Sequence, residues 1–172
     1  MPVALLTGAS KAAGRAVAAE LARRGWTLIV DARDPGALAE AAATLDGEGH
    51  TALPGDVADP AHRAELLAAV ESYGDLDLLV NNASELGPSP LPPLASYPLD
   101  ELARVYEIDV VAPIALTQVL LPSLTRAGGT VLNLSSDAAV EAYPGWGGYG
   151  SAKAALDHAT AVLGVEHPDL RV

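Results

Sequence analysis

A tyrosine and a lysine lie four residues apart near the carboxyl end of the sequence, in Tyr149-Gly-Ser-Ala-Lys153. If this stretch is helical, the two side chains lie on one face, about one turn apart. An ammonium group close to a phenol stabilises the phenolate, which lets the phenol donate and accept protons near neutral pH. Ser136 lies upstream, just after an apolar run that is typical of a strand. The three side chains together predict proton transfer at a carbonyl or an alcohol.

Each of these residues also has an ordinary structural explanation. Tyr149 could be half buried while Lys153 extends its stem along apolar surface, and for an isolated pair this explanation is the better one. Ser136 could simply cap the end of a strand. A glycine-containing turn at the other end of the sequence reverses the balance, because the two features together are typical of a site for a dinucleotide and a carbonyl group.

That turn follows the first predicted strand and runs from Thr7 to Gly14. Gly8 permits a tight turn that brings backbone N–H groups close to a pyrophosphate, and Gly14 lets the next helix pack closely on the sheet. The start of that helix offers unpaired N–H groups and a partial positive charge to phosphates. The alternative is an ordinary strand-to-helix connection, since Gly and Ser are common in loops. The predicted cofactor contacts here are Gly8, Ser10, Lys11, Ala13 and Gly14.

The kind of dinucleotide depends on the end of the second predicted strand, where Asp31 and Arg33 lie. An acidic side chain there would hold the ribose 2′-hydroxyl of NAD(H), whereas an arginine would accommodate the 2′-phosphate of NADP(H). The two side chains should point to the same face, and their alternative role is a local surface ion pair. Because Lys11 adds a second cation nearby, we expect NADP(H) rather than NAD(H).

Two more polar motifs follow the third and fourth predicted strands. The Asp56 carboxylate, next to Val57, could accept a hydrogen bond from an adenine amino group, or it could cap the turn before the next helix. The amides of Asn81-Asn82, followed by Ala83, could join adjacent strands or line a ligand crevice. Because the carboxyl ends of parallel strands meet at one edge, we expect both motifs near the glycine turn.

The remaining segments alternate between strands and helices. The predicted strands are nearly continuous apolar runs, as in a parallel sheet buried on both faces. We therefore predict one domain over residues 1–172, of the α/β class, with a Rossmann-type doubly wound parallel sheet and helices on both faces. The predicted strands are Val3–Thr7, Thr27–Asp31, His50–Leu53, Leu76–Val80 and Thr130–Leu134, and the predicted helices are Gly14–Arg24, Gly36–Leu45, Pro60–Ser72, Leu99–Leu124 and Trp146–Val165.

Two local signals add to this outline. Pro113 lies inside the long fourth helix and should kink it. Asp169-Leu-Arg-Val172 has the composition of the start of a sixth strand. We therefore expect the C-terminal strands to be incomplete and further sequence to be missing beyond Val172.

Composition excludes several kinds of site. The formal net charge of −12 argues against nucleic acid or an anionic membrane as a partner held by a general positive field. The sequence has no cysteine, which excludes disulfides and zinc–thiolate sites, and its four histidines lack ligand spacing, so no metal is predicted. No signal peptide is recognisable, and the longest apolar run, Val110–Leu116, is too short to span a bilayer. We expect a soluble cytoplasmic protein.

These motifs, in this order and at this spacing, resemble the short-chain dehydrogenase/reductase family over essentially the whole sequence. The resemblance implies hydride transfer between nicotinamide C4 and a carbonyl or hydroxyl carbon. It implies that Tyr149 is the general acid in reduction and the base in oxidation, that Lys153 tunes Tyr149 and binds the nicotinamide ribose, and that Ser136 binds the substrate oxygen. A finer resemblance, to the sepiapterin reductase branch, depends on Gly145–Tyr149 and His167–Val172.

Three residues depart from the family pattern. Ala12 stands at the middle glycine of the turn, where its methyl group is expected to crowd or shift the pyrophosphate. Ser84 follows Asn82-Ala83 where the family has glycine. Asp109 stands where the family usually has an asparagine that holds a relay water, and it joins the candidate catalytic residues. If the backbone carbonyl holds that water, little changes; if the side chain does, a carboxylate alters the relay or the proton affinity of Lys153.

Two functions follow from this pattern. The first is an NADP(H)-dependent carbonyl reductase or alcohol dehydrogenase that acts on a small-molecule carbonyl or alcohol. The alternative is a non-catalytic dinucleotide-binding or scaffold protein that kept the fold, which Ala12, Asp109 and the short C-terminus favour. The resemblance also implies a homodimer or homotetramer, paired through the helices predicted at Leu99–Leu124 and Trp146–Val165.

Overall fold

The computed structural model describes all 172 residues and contains one parallel sheet of five strands. The strands lie in the order β3-β2-β1-β4-β5, which reverses direction at β1. Ligands bind where the order of such a sheet reverses, outside the carboxyl ends of the strands. The strand bounds are β1 (Val3–Leu6), β2 (Thr27–Ala32), β3 (Thr51–Pro54), β4 (Leu78–Asn81) and β5 (Thr130–Asn133).

Helices cover both faces of this sheet, which confirms the predicted Rossmann-like α/β fold. Their bounds are α1 (Ala12–Arg23), α2 (Pro35–Ala42), α3 (Pro60–Tyr73), α4 (Leu99–Tyr106), α5 (Ala112–Ala127) and α6 (Gly147–Glu166). Side chains alternate along β1, so Ala4 and Leu6 pack toward α1 and α2, while Leu5 packs toward α3 and α5. The largest fully buried side chains are all leucine or isoleucine, as expected for a sequence without phenylalanine. Each stabilises the fold by roughly 2 kcal/mol through burial.

Two helices that begin at the carboxyl edge of the sheet, one on each face, start with the same local device. Asp34 and Asp59 are the N-cap residues of α2 and α3, and their carboxylates accept hydrogen bonds from Ala37 N at 3.0 Å and Ala61 N at 2.9 Å. A proline follows each aspartate as the first helical residue, where its fixed φ suits a helix start. These caps fix where the connections after β2 and β3 end.

The helix predicted as continuous over Leu99–Leu124 is interrupted. A π-helical segment, Glu107–Val111, separates α4 from α5. Pro113, at the start of α5, has no N–H to donate into the preceding turn, so the widened turn falls directly before it. Thr117 Oγ1 donates to the Pro113 carbonyl oxygen at 2.8 Å. The π segment carries Asp109, which is completely buried.

The stretch Leu99–Ala127 is also long and apolar enough to cross a membrane by length and composition alone, with a mean hydropathy of 1.6. Half of the apolar window is buried inside the fold, where Leu116, Leu120 and Leu124 pack against the sheet. A buried core helix has the same composition, so this stretch is weak evidence for a membrane span.

The predicted sixth strand is present only as a single parallel bridge between Thr130 and Arg171. Val131 N donates to Arg171 O at 2.8 Å, and Arg171 N donates to Gly129 O at 3.2 Å. The last residues of the chain therefore lie beside the start of β5, and the rest of its outer edge has no strand beside it.

Candidate active site

The turn between β1 and α1 is held in place by the end of β4. Asn82 Nδ2 donates to the carbonyl oxygens of Thr7 at 2.9 Å and Gly8 at 3.0 Å, while Thr7 Oγ1 accepts from Asn82 N and Ala83 N, both at 3.0 Å. Gly8 has a φ of +68°, and a side chain at Gly14 would collide with the Gly8 carbonyl oxygen. Both glycines are therefore required by the backbone geometry of the turn.

The first residue of α1 is the exception in this turn. Ala12 has a φ of +43°, the one non-glycine residue with a positive φ in the structure. A side chain in this left-handed region costs roughly 1 kcal/mol or more. Lys11 is the N-cap of α1 and makes no side-chain capping bond, so the first N–H groups of the helix have no capping partner. They face the cleft described next.

A cleft of about 370 Å³ opens at the point where the strand order reverses. Its walls come from the segments after β1, β2, β3 and β4, together with Ile108 of the π segment. All the predicted cofactor contacts of the glycine turn line it except Gly14, which lies behind the turn. The lining residues predicted from sequence are Gly8, Ser10, Lys11, Ala13, Arg33, Asp56, Val57, Asn82 and Ala83.

The Asp31 carboxylate is not available to a ribose hydroxyl. Its Oδ1 accepts from Gly8 N at 3.0 Å, and its Oδ2 lies 3.0 Å from His62 Nε2. Both side chains are buried, and burial raises the pKa of the Asp31 carboxyl, while the hydrogen bond to Asp31 raises the pKa of His62. The pair therefore holds a proton more tightly than its separate members. The expected alternative of a local ion pair between Asp31 and Arg33 is wrong.

Arg33 instead reaches across to the segment after β4. Its Nη1 lies 3.0 Å from Glu85 Oε2, and the side chain is 60% exposed. Arg104 of α4 pairs with Asp56 and lies 3.9 Å from the same Glu85 oxygen. Exposed ion pairs of this kind contribute little to stability. Arg33 is therefore free to exchange Glu85 for another anion in the cleft.

Asp56 has the capping role, one of the two that the sequence left open, and its place in the cleft is compatible with the other. Its Oδ1 accepts from Ala58 N at 2.9 Å, which caps the turn before α3, yet the residue also lines the cleft. Burial opposes ionisation of this carboxyl, but the Ala58 N–H and the Arg104 guanidinium outweigh it and lower the pKa of Asp56. The carboxylate therefore stays charged at the mouth of the cleft.

Asn81 joins strands rather than facing the cleft. Its Nδ2 donates to Asn133 Oδ1 at 2.7 Å, and Asn133 Nδ2 donates to Thr160 Oγ1 at 2.8 Å. This chain of amides ties β4 to β5 and β5 to α6. Asn82, one residue later, fixes the glycine turn and lines the cleft, so the two neighbouring amides have different positions.

Tyr149 lies near the start of α6 between two glycines that are both tightly packed. A Cβ on Gly150 would lie 2.5 Å from the Ala138 carbonyl oxygen, and a Cβ on Gly148 would lie 2.5 Å from the Tyr97 ring. The first contact draws the 3₁₀ turn Asp137–Ala139, and Ser136 before it, against α6. Gly150 therefore lets the segment of Ser136 pack against α6, while Gly148 leaves room for the Tyr97 ring.

The hydroxyl of Ser136 makes local contacts. It accepts from Ala138 N at 3.2 Å, as the N-cap of the 3₁₀ turn, and lies 3.1 Å from Asp137 Oδ1. The capping role that the sequence left open is thus present. Tyr143 OH donates to Asp137 Oδ2 at 3.2 Å, and this contact to the carboxylate raises the pKa of Tyr143.

Lys153 lies one turn after Tyr149 and is buried. Its Nζ donates to the Leu134 carbonyl oxygen at 3.0 Å and lies 5.5 Å from the centre of the Tyr149 ring. Asp109 Oδ1 is 3.0 Å from the same Nζ. The predicted tyrosine–lysine proximity on one helix face is therefore present, with a carboxylate as an additional member.

A family model described as short chain dehydrogenase matches residues 2–172. The chain belongs to the short-chain dehydrogenase/reductase family. This confirms the family resemblance drawn from the sequence, while the sepiapterin reductase branch stays a prediction.

Curated relatives and solved structures of the family agree with this assignment. The chain is 35% identical over 154 residues to a serine 3-dehydrogenase of Agrobacterium fabrum, covering 88% of this chain and 60% of that protein. It matches an alcohol dehydrogenase from Thermococcus sibiricus complexed with 5-hydroxy-NADP with a TM-score of 0.90 and 32% identity, over 99% of this chain and 73% of that chain. It also matches an NAD⁺-bound xylitol dehydrogenase with a TM-score of 0.89 and 27% identity, over 99% and 66% of the two chains.

The chain spans about 60–66% of the length of the curated short-chain dehydrogenase/reductase relatives it matches. The residues present hold the glycine turn, the reversal point of the sheet and the serine, tyrosine and lysine side chains. The same portion of the fold thus contains every motif on which the family resemblance was drawn.

Several residues of this family member were not found from its sequence. His62 is not among the predicted site residues, yet it binds Asp31 behind the glycine turn. Arg104 and Glu85 form ion pairs at the cleft mouth, and Tyr97 packs against Gly148, the residue before Tyr149. The only sign of the role of His62 in the sequence was the composition of α3, because His62 is a polar residue on a buried helix face that otherwise packs through apolar side chains. No group of three or more His, Cys, Asp or Glu side chains that could hold a metal occurs in the structure.

Proposed function

We propose that the protein is an NAD(P)-dependent oxidoreductase that transfers a hydride between a nicotinamide cofactor and a carbonyl or alcohol carbon. The observation that carries this proposal is the buried Lys153 ammonium, 5.5 Å from the Tyr149 ring and held by the Leu134 carbonyl. An ammonium beside a phenol is the arrangement that a proton donor and acceptor for a carbonyl reaction uses. Family membership raises the same expectation.

The cleft fits a dinucleotide. The uncapped start of α1, next to the tight turn at Gly8, leaves backbone N–H groups at the cleft, which suit a pyrophosphate. Asp56 and Val57 line the part of the cleft suited to the adenine, and Asn82 and Ala83 line the part next to β4. When bound, the nicotinamide supplies the hydride donor or acceptor.

The chain's own residues handle the proton. In carbonyl reduction, Tyr149 donates its hydroxyl proton to the developing alkoxide; in alcohol oxidation it removes the hydroxyl proton. Ser136 rotates its hydroxyl from Asp137 to donate to the substrate oxygen and stabilise the charge that develops there. Lys153 uses two of its three N–H donors on Leu134 and Asp109, which leaves the third for a ribose hydroxyl of the cofactor.

NADP(H) is the favoured cofactor. Arg33 is exposed at the cleft with only a surface ion pair to Glu85, and Lys11 lines the same cleft. Of the two carboxylates that line the cleft at the end of β2 and just after it, Asp31 is taken up by Gly8 and His62, and Asp34 caps α2 by accepting from Ala37 N. Cations are therefore available to a 2′-phosphate, whereas both nearby carboxylates already accept hydrogen bonds from other groups.

The test is nicotinamide fluorescence titration with NADPH and NADH, followed by turnover of benzaldehyde, cyclohexanone and ethyl pyruvate. We expect binding of NADPH and reduction of at least one carbonyl. The Tyr149→Phe variant should keep cofactor binding and lose turnover at least 100-fold. Tyr106→Phe, on the neighbouring helix and outside the site, is the matched control.

Two outcomes would overturn the proposal. Binding without turnover of any carbonyl or alcohol would favour the non-catalytic dinucleotide-binding protein. Turnover that survives in Tyr149→Phe would remove the phenol from the proposed role.

Assembly and location are further proposals. We propose a homodimer or homotetramer paired through α5 and α6, because both helices expose large apolar side chains, among them Ile114, Val119, Val162 and Val165. Light scattering on a sizing column would measure the assembly, and an apolar-to-lysine change at Val162 should dissociate it. We also propose a cytoplasmic location and the sepiapterin reductase branch, which localisation of a tagged protein and turnover of pterin carbonyls would test.

A further inference from the structure

Ser84, Asp109 and Lys153 form one connected group in the interior. Lys153 Nζ lies 3.0 Å from Asp109 Oδ1, Ser84 Oγ donates to the same oxygen, and Glu85 N donates to Asp109 Oδ2 at 3.0 Å. The Asp109 side chain has no exposed surface, and that of Lys153 is 3% exposed. Three donors from two segments, α6 and the stretch after β4, thus converge on a single buried carboxylate.

A buried ammonium needs a counter-charge, because burial without one drives it to give up its proton. The Leu134 carbonyl gives Lys153 an acceptor but no charge. Asp109 is the only carboxylate in contact with Lys153, and Ser84 Oγ and Glu85 N both donate to its oxygens. An asparagine could not repeat these contacts, since in either orientation its amide nitrogen would face a donor, the N–H of Glu85 or the Lys153 ammonium.

We propose that Asp109 is a positioning residue that fixes the Lys153 side chain beside Tyr149, and that Ser84 holds Asp109 in place. The proposal rests on the proposed function, in which Tyr149 moves the proton. Ser84 and Asp109, which are separate departures from the family pattern in the sequence, thereby share one role. The π segment is what turns Asp109 toward Ser84 and Lys153.

No other charged group competes for the pair. Each titratable side chain on the surrounding elements has its own partner or no contact with Asp109 or Lys153. Arg104 pairs with Asp56, the Glu85 carboxylate pairs with Arg33, Asp137 bonds to Tyr143 and Ser136, and Glu107, Tyr97 and Asp157 make no hydrogen bond or ion pair with either residue.

The first test is the pH profile of carbonyl reduction by the Asp109→Asn variant. Reduction needs a protonated Tyr149, so its rate falls on the alkaline side. Removing one negative charge lowers the proton affinity of the Tyr149 and Lys153 set, whichever member holds the proton. We expect the alkaline limb to move to lower pH by about one unit or more.

Glu107→Gln is the matched control, since it removes the same charge from the same π segment without touching Lys153. We expect the alkaline limb of its pH profile to lie within about 0.3 pH unit of the limb of the unchanged protein. If Asp109→Asn instead lowers the rate equally at every pH and leaves the limb in place, the residue is merely structural and the proposal is wrong.

The second test needs no substrate, so it separates this proposal from the proposed function. Urea unfolding of Asp109→Asn, Lys153→Met and the double variant forms a double-mutant cycle. We expect the two losses to be non-additive by about tenfold or more in the unfolding equilibrium constant. Ser84→Ala should likewise cost less in the Asp109→Asn background than alone. Additive losses would overturn the pairing.

Folding failure is also informative. If Asp109→Asn does not fold but the double variant with Lys153→Met does, the fault is the uncompensated ammonium, which supports the proposal. If neither folds, Asp109 is required independently of Lys153 and the proposal fails. Should the unchanged protein reduce no carbonyl, the proposed function fails while the cycle still decides the pairing.

Discussion

His62 of α3 and Asp31 of β2 meet behind the glycine turn, with His62 Nε2 3.0 Å from Asp31 Oδ2 and both side chains almost fully buried. Asp31 in turn accepts the N–H of Gly8. A histidine on the helix after β3 thus supports, through one carboxylate, the backbone that faces the cleft.

This pair should make stability depend on pH. The hydrogen bond to Asp31 raises the folded-state pKa of His62 above its ordinary 6.5. The stabilisation is therefore complete below about pH 6.5 and is lost as the pH rises through the raised value. Urea unfolding of the unchanged protein should show the decline, and His62→Ala should abolish this dependence. His62→Ala should also cost about 3 kcal/mol at pH 6, because it leaves a buried carboxylate without its partner.

The exposed His158 of α6 provides the control for that experiment. His158→Ala should keep both the stability and its pH dependence. An unchanged decline in His62→Ala would show that another group is responsible.

Ala12→Gly should improve both folding and cofactor binding. Its φ of +43° suits glycine, and removal of the methyl group also clears the cleft that Ala12 lines. We expect a gain of about 0.5–1 kcal/mol in the free energy of unfolding and a severalfold lower Kd for NADPH. Ala13→Gly, which changes the next residue of the same cleft at an ordinary φ, should instead lower stability.

Arg33→Ser should change the choice of cofactor. Loss of a charged hydrogen bond to the 2′-phosphate should raise the Kd for NADPH about tenfold or more and leave the Kd for NADH nearly unchanged. Fluorescence titration with both cofactors measures the ratio. Arg24→Ser removes an equal charge far from the cleft, and an equal response in the two variants would point to general electrostatics.

Tyr97→Phe should not destabilise the fold. The Tyr97 hydroxyl is buried with no hydrogen-bond partner, and burial, with Glu101 and Glu85 nearby, raises its pKa. Its removal should leave the free energy of unfolding unchanged or raise it by about 1 kcal/mol. Tyr73→Phe is the contrast, because Tyr73 OH lies 2.7 Å from both Gly49 O and Thr51 Oγ1 and should cost about 1 kcal/mol.

Gly150→Ala and Gly164→Ala should have opposite effects although both lie in α6. The new methyl at Gly150 would meet the Ala138 carbonyl oxygen at 2.5 Å, whereas at Gly164 its nearest neighbour is Val172 Cβ at 3.6 Å. We expect Gly150→Ala to lower both stability and kcat by moving Ser136 away from Tyr149. Gly164→Ala should raise the free energy of unfolding by about 0.5–1 kcal/mol through helix propensity. Thermal unfolding and turnover measure both.

The local sequence pattern was sufficient to predict the sheet and the glycine turn. Apolar runs mark strands buried on both faces, and Gly8 and Gly14 sit where a turn requires glycine, so these features follow from residues close in sequence. Pro113 indicated a disturbance of the long helix but not its form, because a turn widened by one residue leaves no trace in apolar spacing.

Contacts between segments that are distant in the sequence could not be predicted from it. His62 meets Asp31 only once β2 and α3 are packed, and Ser84 meets Asp109 only once the π segment faces the end of β4. The sequence contains each partner but nothing that pairs them. It could therefore predict the candidate residues of the site without predicting the polar network that orients them.

The outer side of β5 has a single bridge, at Arg171, and otherwise presents unpaired N–H and C=O groups beside the half-exposed Leu132. An unpaired strand edge of this kind forms backbone hydrogen bonds with extended segments of other molecules. Concentrated preparations of this 172-residue chain are therefore expected to self-associate and precipitate. The Leu132→Lys change should keep the protein in solution, because a charge on this edge opposes strand pairing between molecules.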